Sequence, residues 1–260
     1  MPSVPGFTTT PFTAFDKTRD VFRRGEGRAV IVMAEVPGIT PLVAAFAARV
    51  ADAGFSVFMP QLFGTPNRVE SHGYAARVIL GACISREFKV LAANRSSPVV
   101  DWLRSLARFA HGKCGGKGVG AVGMCLTGNF ALAMMLDAPI IAPVLSQPSL
   151  PFALTEGLSG ALHASQEELA AAHEKIDQHG ARILGLRFKG DPMCKAARFE
   201  SLRKEFGAAF ECIELEDADA NPKGSPPPHS VLTRHLIDAD GQPTRAALDR
   251  TLSFLKEQLR

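Results

Sequence analysis

The sequence predicts an α/β fold, a mostly parallel central sheet with helices on both faces, and three observations carry that expectation. Short apolar runs rich in β-branched residues alternate with longer segments of helical period. A chain of 260 residues suits one such domain and can bury a large core. A composition of 46% hydrophobic and 21% charged residues fits a compact, enzyme-like domain and excludes a disordered or fibrous one.

Taken in order, residues 1–27 are expected to be an N-terminal extension lying on or near the core of a single domain spanning 1–260. Residues 29–35 and 56–59 are apolar, β-branched strand candidates, and helix 41–53 between them is closed by Gly54. A helical period marks 98–111. Strand 118–123 then runs straight into a helical stretch, 125–136, and strand 140–145 follows. Helix 165–179 carries Ser165 ahead of Glu167 and Glu168 and Gly180 behind His179, the signals of its two ends. Strand 182–189, helix 195–206, strand 210–215 and helix 244–259 complete the alternation. Residues 60–74 and 216–230 lack periodicity. Each follows a strand, where the ligand-binding loops of a doubly wound sheet lie.

The 29 basic and 26 acidic residues are spread evenly and leave a net charge of +3, so nucleic acid is not an expected partner. Arg23, Arg24 and the lysines at 113 and 117 read as solvated turns. The first 15 residues lack a basic region followed by an apolar one, which argues against secretion and for a cytoplasmic protein. No run reaches the roughly 20 apolar residues that a membrane span needs, because Asp137, Pro139 and Pro143 interrupt 130–145. Five cysteines, widely spaced and without a C-x-x-C pair, disfavour both a disulfide framework and a zinc site. Cys83, Cys114, Cys194 and Cys212 are expected to be small buried thiols.

The fifth stands apart. Gly123-Met124-Cys125-Leu126-Thr127-Gly128 joins a strand to a helix, the context in which a sharp turn pushes one side chain into the open as a nucleophile. A thiol at a helix start faces unpaired N–H groups that favour its thiolate, and the Leu126 N–H would point at an oxyanion formed there. The usual turn has glycine two residues after the nucleophile, where this chain has Thr127. Packing of a small apolar thiol at a tight junction is the alternative role for Cys125.

Later residues supply an acid and a base in the order nucleophile, acid, base. Asp191 follows the strand candidate 182–189 at its carboxyl end, with Asp217 and Asp219 as rivals after the next strand. His229 follows three prolines in the loop 216–230, which would hold an imidazole over the sheet edge. His163, His173 and His179 fall on or near a surface helix, and His235 lies just past the loop.

At Gly120-Ala-Val-Gly-Met-Cys-Leu-Thr-Gly the sequence resembles the dienelactone hydrolase family, a branch of the α/β-hydrolases with a cysteine nucleophile. Val30-Ile-Val-Met-Ala-Glu-Val-Pro-Gly-Ile, Lys189-Gly-Asp-Pro and Pro228-His-Ser-Val extend the likeness over about residues 28–260. The resemblance implies a Cys125–His229–Asp191 triad and a glutamate, Glu35, that holds the resting thiol until substrate enters. It also implies a second oxyanion donor in the turn after Glu35; Pro37 has no N–H, so Val36 is the candidate, paired with Leu126. The family holds a substrate carboxylate with arginines. Arg86 matches one, whereas the second place carries Thr233, with Arg234 one residue later.

These readings lead to an expected ester or lactone hydrolase that works through a thioester on a small-molecule substrate, with no metal or organic cofactor. Aryl esters and neutral phosphotriesters are an alternative substrate class for the same residues, and a non-catalytic binding protein of the same fold is the alternative outside enzymes. Monomer and homo-oligomer both remain open.

Overall fold

The computed structural model describes residues 3–84, 97–149 and 160–260. Eight strands form one sheet in the order β1-β2-β4-β3-β5-β6-β7-β8: β1 (Thr8–Ala14), β2 (Lys17–Arg24), β3 (Arg28–Met33), β4 (Phe55–Pro60), β5 (Val119–Met124), β6 (Ile140–Ser146), β7 (Ile183–Phe188) and β8 (Phe210–Leu215). β2 runs antiparallel to both β1 and β4, and every pairing from β4 to β8 is parallel. The six expected strands are all present, each end within two residues of its expected place.

The helices are α1 (Pro41–Asp52), α2 (His72–Ile84), α3 (Pro98–Cys114), α4 (Gly128–Ala133), α5 (Gln166–His179), α6 (Ala196–Phe206) and α7 (Pro243–Leu259). Strands β4 to β7 apart from the loops are buried at every position, which requires cover on both faces. β5 shows how this is arranged. A Cβ on Gly120 would come within 2.8 Å of Leu255 Cδ2 in α7, while one on Gly123, three residues on and therefore on the opposite face, would strike the Thr127 carbonyl at 2.1 Å. The helix ends follow the sequence signals: Ser165 Oγ accepts from Glu168 N at 3.2 Å, and the Glu168 carboxylate accepts from Ser165 N at 2.7 Å.

Three elements depart from expectation. Within the stretch read as an extension, β1 and β2 form a hairpin at the sheet edge. No β1 residue is fully buried, so apolar alternation is weak, and the turn uses Phe15 and Asp16 at φ 48° and 60° rather than Gly or Asn. The hairpin is anchored by Trp102 of α3, whose Nε1 donates to Lys17 O at 2.9 Å and whose ring meets Phe12 edge-on at 5.3 Å. Helix α2 follows the aperiodic loop; Gly73 and Gly81 lower its helix propensity and blur its pattern. The helix expected at 125–136 is instead a 3₁₀ turn, Cys125–Thr127, leading into the six-residue α4. Asp137 sits at φ 53° and Ala138 precedes a proline, so the helix stops short. Among the described residues, no helix is long and apolar enough to cross a membrane.

Candidate active site

Cys125 occupies the turn where β5 gives way to the 3₁₀ turn, with φ 56°. A positive φ is rare for a residue with a Cβ and costs on the order of 1–3 kcal/mol, so the surroundings must enforce it. Thr127 does part of this. Its fully buried hydroxyl accepts from Met124 N at 2.9 Å and lies 2.9 Å from the carbonyls of Met33 and Met124. The threonine that stands where the usual turn has glycine therefore fastens the turn to the end of β3. Gly123 gives the backbone room for this, as its clash with Thr127 O would forbid any side chain.

Behind the turn, Asn129 Nδ2 donates to the carbonyls of Leu126 and Ser149, both at 3.1 Å, and its Oδ1 accepts from Arg198 Nη1 at 2.8 Å. Burial pulls the Arg198 guanidinium down to about 10, so it remains charged at neutral pH. Ser149 donates its N–H to Cys125 O at 3.1 Å, and its hydroxyl lies 3.2 Å from the Cys125 sulfur. The thiol itself is half-buried. The N–H groups of Cys125 and Leu126 open the 3₁₀ turn, ahead of any carbonyl it could offer them.

The structure brings His229 and Asp191 together. Asp191 lies three residues beyond β7, is 2% exposed, and has Oδ1 fixed by Met193 N at 2.9 Å. Its Oδ2 is 2.6 Å from His229 Nδ1. An ionised carboxylate only accepts, so Nδ1 carries a proton. Nε2 on the far side of the ring is buried, has no hydrogen-bond partner among the described residues, and feels the charge of Cys125. Burial alone would pull the imidazole pKa down. The influence of Cys125 and the hydrogen bond to Asp191 outweigh it and raise the pKa well above its ordinary value. The rival aspartates are engaged elsewhere: Asp217 Oδ1 accepts from Gly190 N and Asp219 Oδ2 from Glu216 N, each at 2.9 Å.

Glu35 lies just past β3 and is 6% exposed. Its carboxylate accepts from Ser230 Oγ at 2.7 Å, from Gln147 Nε2 at 3.3 Å and from the Thr233 hydroxyl. None of these three donors is the Cys125 thiol. Val36 follows at the mouth of the same turn, partly exposed, and Gly38 N closes it onto Glu35 O at 2.7 Å. Arg86 lies outside the described residues. Arg234 is paired with Glu70.

Sequence reasoning missed Ser149, Asn129, Arg198, Gln147 and Ser230, and gave Thr127 no task. Gln147, Ser149 and Arg198 are brought in by the fold from other segments, while Asn129 and Ser230 stand beside the predicted residues but find their partners 69 and 195 residues away. Only the inversion at Thr127, a polar residue at a glycine position, was a usable signal.

A sequence model of the dienelactone hydrolase family matches residues 19–258. The chain belongs to the dienelactone hydrolase family. Solved structures agree in fold: a Klebsiella pneumoniae protein designated a dienelactone hydrolase has a TM-score of 0.63 at 17% identity, over 96% of this chain and 98% of that one. A dienelactone hydrolase-like promiscuous phosphotriesterase from metagenomic libraries gives 0.61 at 17% identity, over 98% of both chains. Thermogutta terrifontis esterase 2, phosphoramylated by tabun, gives 0.55 at 14% identity, over 98% of this chain and 96% of that one. Comparison with curated protein sequences gave no significant match. The family is one of α/β-hydrolases, and membership makes hydrolysis the chemistry against which the site is read.

Proposed function

We propose that this protein is a cysteine-dependent hydrolase of small esters or lactones. The observation that carries the reading is the 2.6 Å bond between His229 Nδ1 and Asp191 Oδ2, which leaves Nε2 facing Cys125. Family membership supports it independently.

Asp191 fixes the imidazole tautomer and stabilises the imidazolium. The thiolate of Cys125 attacks the substrate carbonyl carbon, and the N–H groups of Leu126 and Val36 receive the oxyanion. Collapse of the tetrahedral species breaks the acyl C–O bond, and the departing alkoxide takes the Nε2 proton. Water then attacks the thioester and gives a proton to Nε2; the C–S bond breaks and the carboxylic acid leaves. In a lactone the alcohol and acid remain one molecule. Only these side chains and water take part, in keeping with a cytoplasmic enzyme acting on a small molecule.

Neutral phosphotriesters form a second substrate class, since the same two donors suit a phosphoryl oxygen and a fold relative at 17% identity bears the name of a promiscuous phosphotriesterase. The test is a panel of short aryl esters, lactones and one phosphotriester assayed with wild type, Cys125→Ala, Cys125→Ser and His229→Ala. Loss of ester turnover in the alanine variants supports the triad. Equal turnover in all four proteins would reject it, and no turnover in any of them would favour a binding protein. Stoichiometric leaving-group release followed by a dead enzyme would remove phosphotriesters from the substrate range.

A further inference from the structure

The loop that carries His229 is gripped by a second histidine. His235 Nδ1 lies 3.2 Å from His229 N and 3.1 Å from Ser230 N, so two successive backbone N–H groups converge on one ring nitrogen. A nitrogen that accepts in this way carries no proton, which puts the ring hydrogen on Nε2. Nε2 is 3.0 Å from Ser225 O, an acceptor, as that tautomer requires.

The ring is 2% exposed and leaves little room for motion. It meets the ring of Phe188, the last residue of β7, edge-on at 5.9 Å, and a Cβ on Gly224 would fall 2.4 Å from its Cδ2. The backbone is fixed too: His235 N donates to Ser230 O at 3.0 Å, and its carbonyl accepts from Asn221 N at 2.9 Å. One residue thus joins the incoming limb of the loop, at Asn221 and Ser225, to the outgoing limb at His229 and Ser230. Phe188 stands three residues before Asp191, so the ring also references the loop to the strand end that carries the acid.

We propose that His235 is a positioning residue that sets where the His229 imidazole stands, by accepting the N–H groups of His229 and Ser230 as a neutral Nε2–H tautomer. The inference rests on the reading of His229 as the base. Protonation of His235 would turn its acceptor into a donor facing two other donors. The charged and titratable groups acting on it are Arg234 and His229, which oppose that protonation, and Glu35 from the end of β3, which favours it; burial, the largest influence, opposes it and the net shift is downward.

The test compares His235→Asn, His235→Gln, His235→Leu and His229→Ala with wild type, reading kcat and KM for a short aryl ester well below each melting temperature. An asparagine carbonyl falls near the place of Nδ1 and keeps the acceptor; a glutamine reaches only the place of Nε2. His235→Asn should hold kcat within several-fold. His235→Gln and His235→Leu should lose about 100-fold in kcat, the scale of a misplacement near 1 Å, with KM little changed. Wild-type activity in Gln and Leu variants alongside a dead His229→Ala would overturn the positioning role and leave the triad intact. Full activity in His229→Ala would overturn both. If a variant fails to fold, nitrogen-15 NMR of the wild-type ring decides: an Nε2–H tautomer near neutral pH supports the role, and an Nδ1–H tautomer sinks it.

Discussion

Glu35 Oε2 and Ser230 Oγ share a 2.7 Å hydrogen bond that fastens the segment after β3 to the segment holding His229. One segment carries the Val36 N–H and the other the imidazole, so the carboxylate spans the two halves of the site above the sheet.

Removing Glu35 should therefore cost stability. Glu35→Ala leaves the buried hydroxyls of Ser230 and Thr233 without their acceptor, at roughly 1–3 kcal/mol for each unsatisfied group. Urea unfolding checks this. A second variant, Glu35→Gln, separates two roles for Glu35. Cys125 has Ser149 within 3.2 Å, so its alkylation by iodoacetamide should change by only a few-fold in Glu35→Gln; a rise of tenfold or more would mean that Glu35 holds the resting thiol.

Thr127 should behave as a fastener. Thr127→Val keeps the shape but drops the bonds to Met33, Met124 and their neighbours, and should lose about 1–2 kcal/mol, or a few degrees of melting temperature for a domain of this size. Thr127→Ser should retain most of it. Thr127→Gly restores the residue usual in such turns yet should be the least stable of the three, because it also frees the backbone of the unfolded chain. Unchanged melting in all three would show that the turn holds itself.

His229 should titrate well above an ordinary histidine. Desolvation opposes its charge, and the electrostatic influence of Cys125 is the largest that favours it. In Cys125→Ala the imidazole pKa should therefore fall, as followed by NMR of the ring carbons. The sign for stability follows: the native state holds this proton more tightly than the unfolded chain. The charged ring's contribution is fully present below about pH 6.5 and is lost as pH rises through the raised native value. The gap in unfolding free energy between wild type and His229→Gln should shrink across that interval. A gap that widens with pH would contradict the raised value.

Most of the parallel sheet was legible in the sequence because β3 to β7 are buried strands, whose continuous apolar runs announce themselves. The β1–β2 hairpin was not, since it lies at an edge with partly exposed faces and turns at Phe15-Asp16 without glycine. Helix α4 was overestimated because apolar period continues through Met134 and Met135, whereas the backbone obeys Asp137 and Pro139. For the site, strand ends and chain order brought Cys125, Asp191 and His229 forward. They could not reveal the supports. Asn129 to Arg198 spans 69 residues and Glu35 to Thr233 spans 198, and nothing local marks such pairs. His235 carries the same limitation: its worth lies in which nitrogen meets which N–H, a matter of three-dimensional packing.

The most direct measurement of the thioester mechanism is mass spectrometry of the protein quenched in acid after mixing with excess p-nitrophenyl acetate, followed by peptide mapping and hydroxylamine treatment. The predicted result is one acetyl group on Cys125, absent from Cys83, Cys114, Cys194 and Cys212 and removed by hydroxylamine. Turnover with the acetyl group on Ser149 or another residue, or a Cys125→Ala protein that hydrolyses the ester at the wild-type rate, would contradict it.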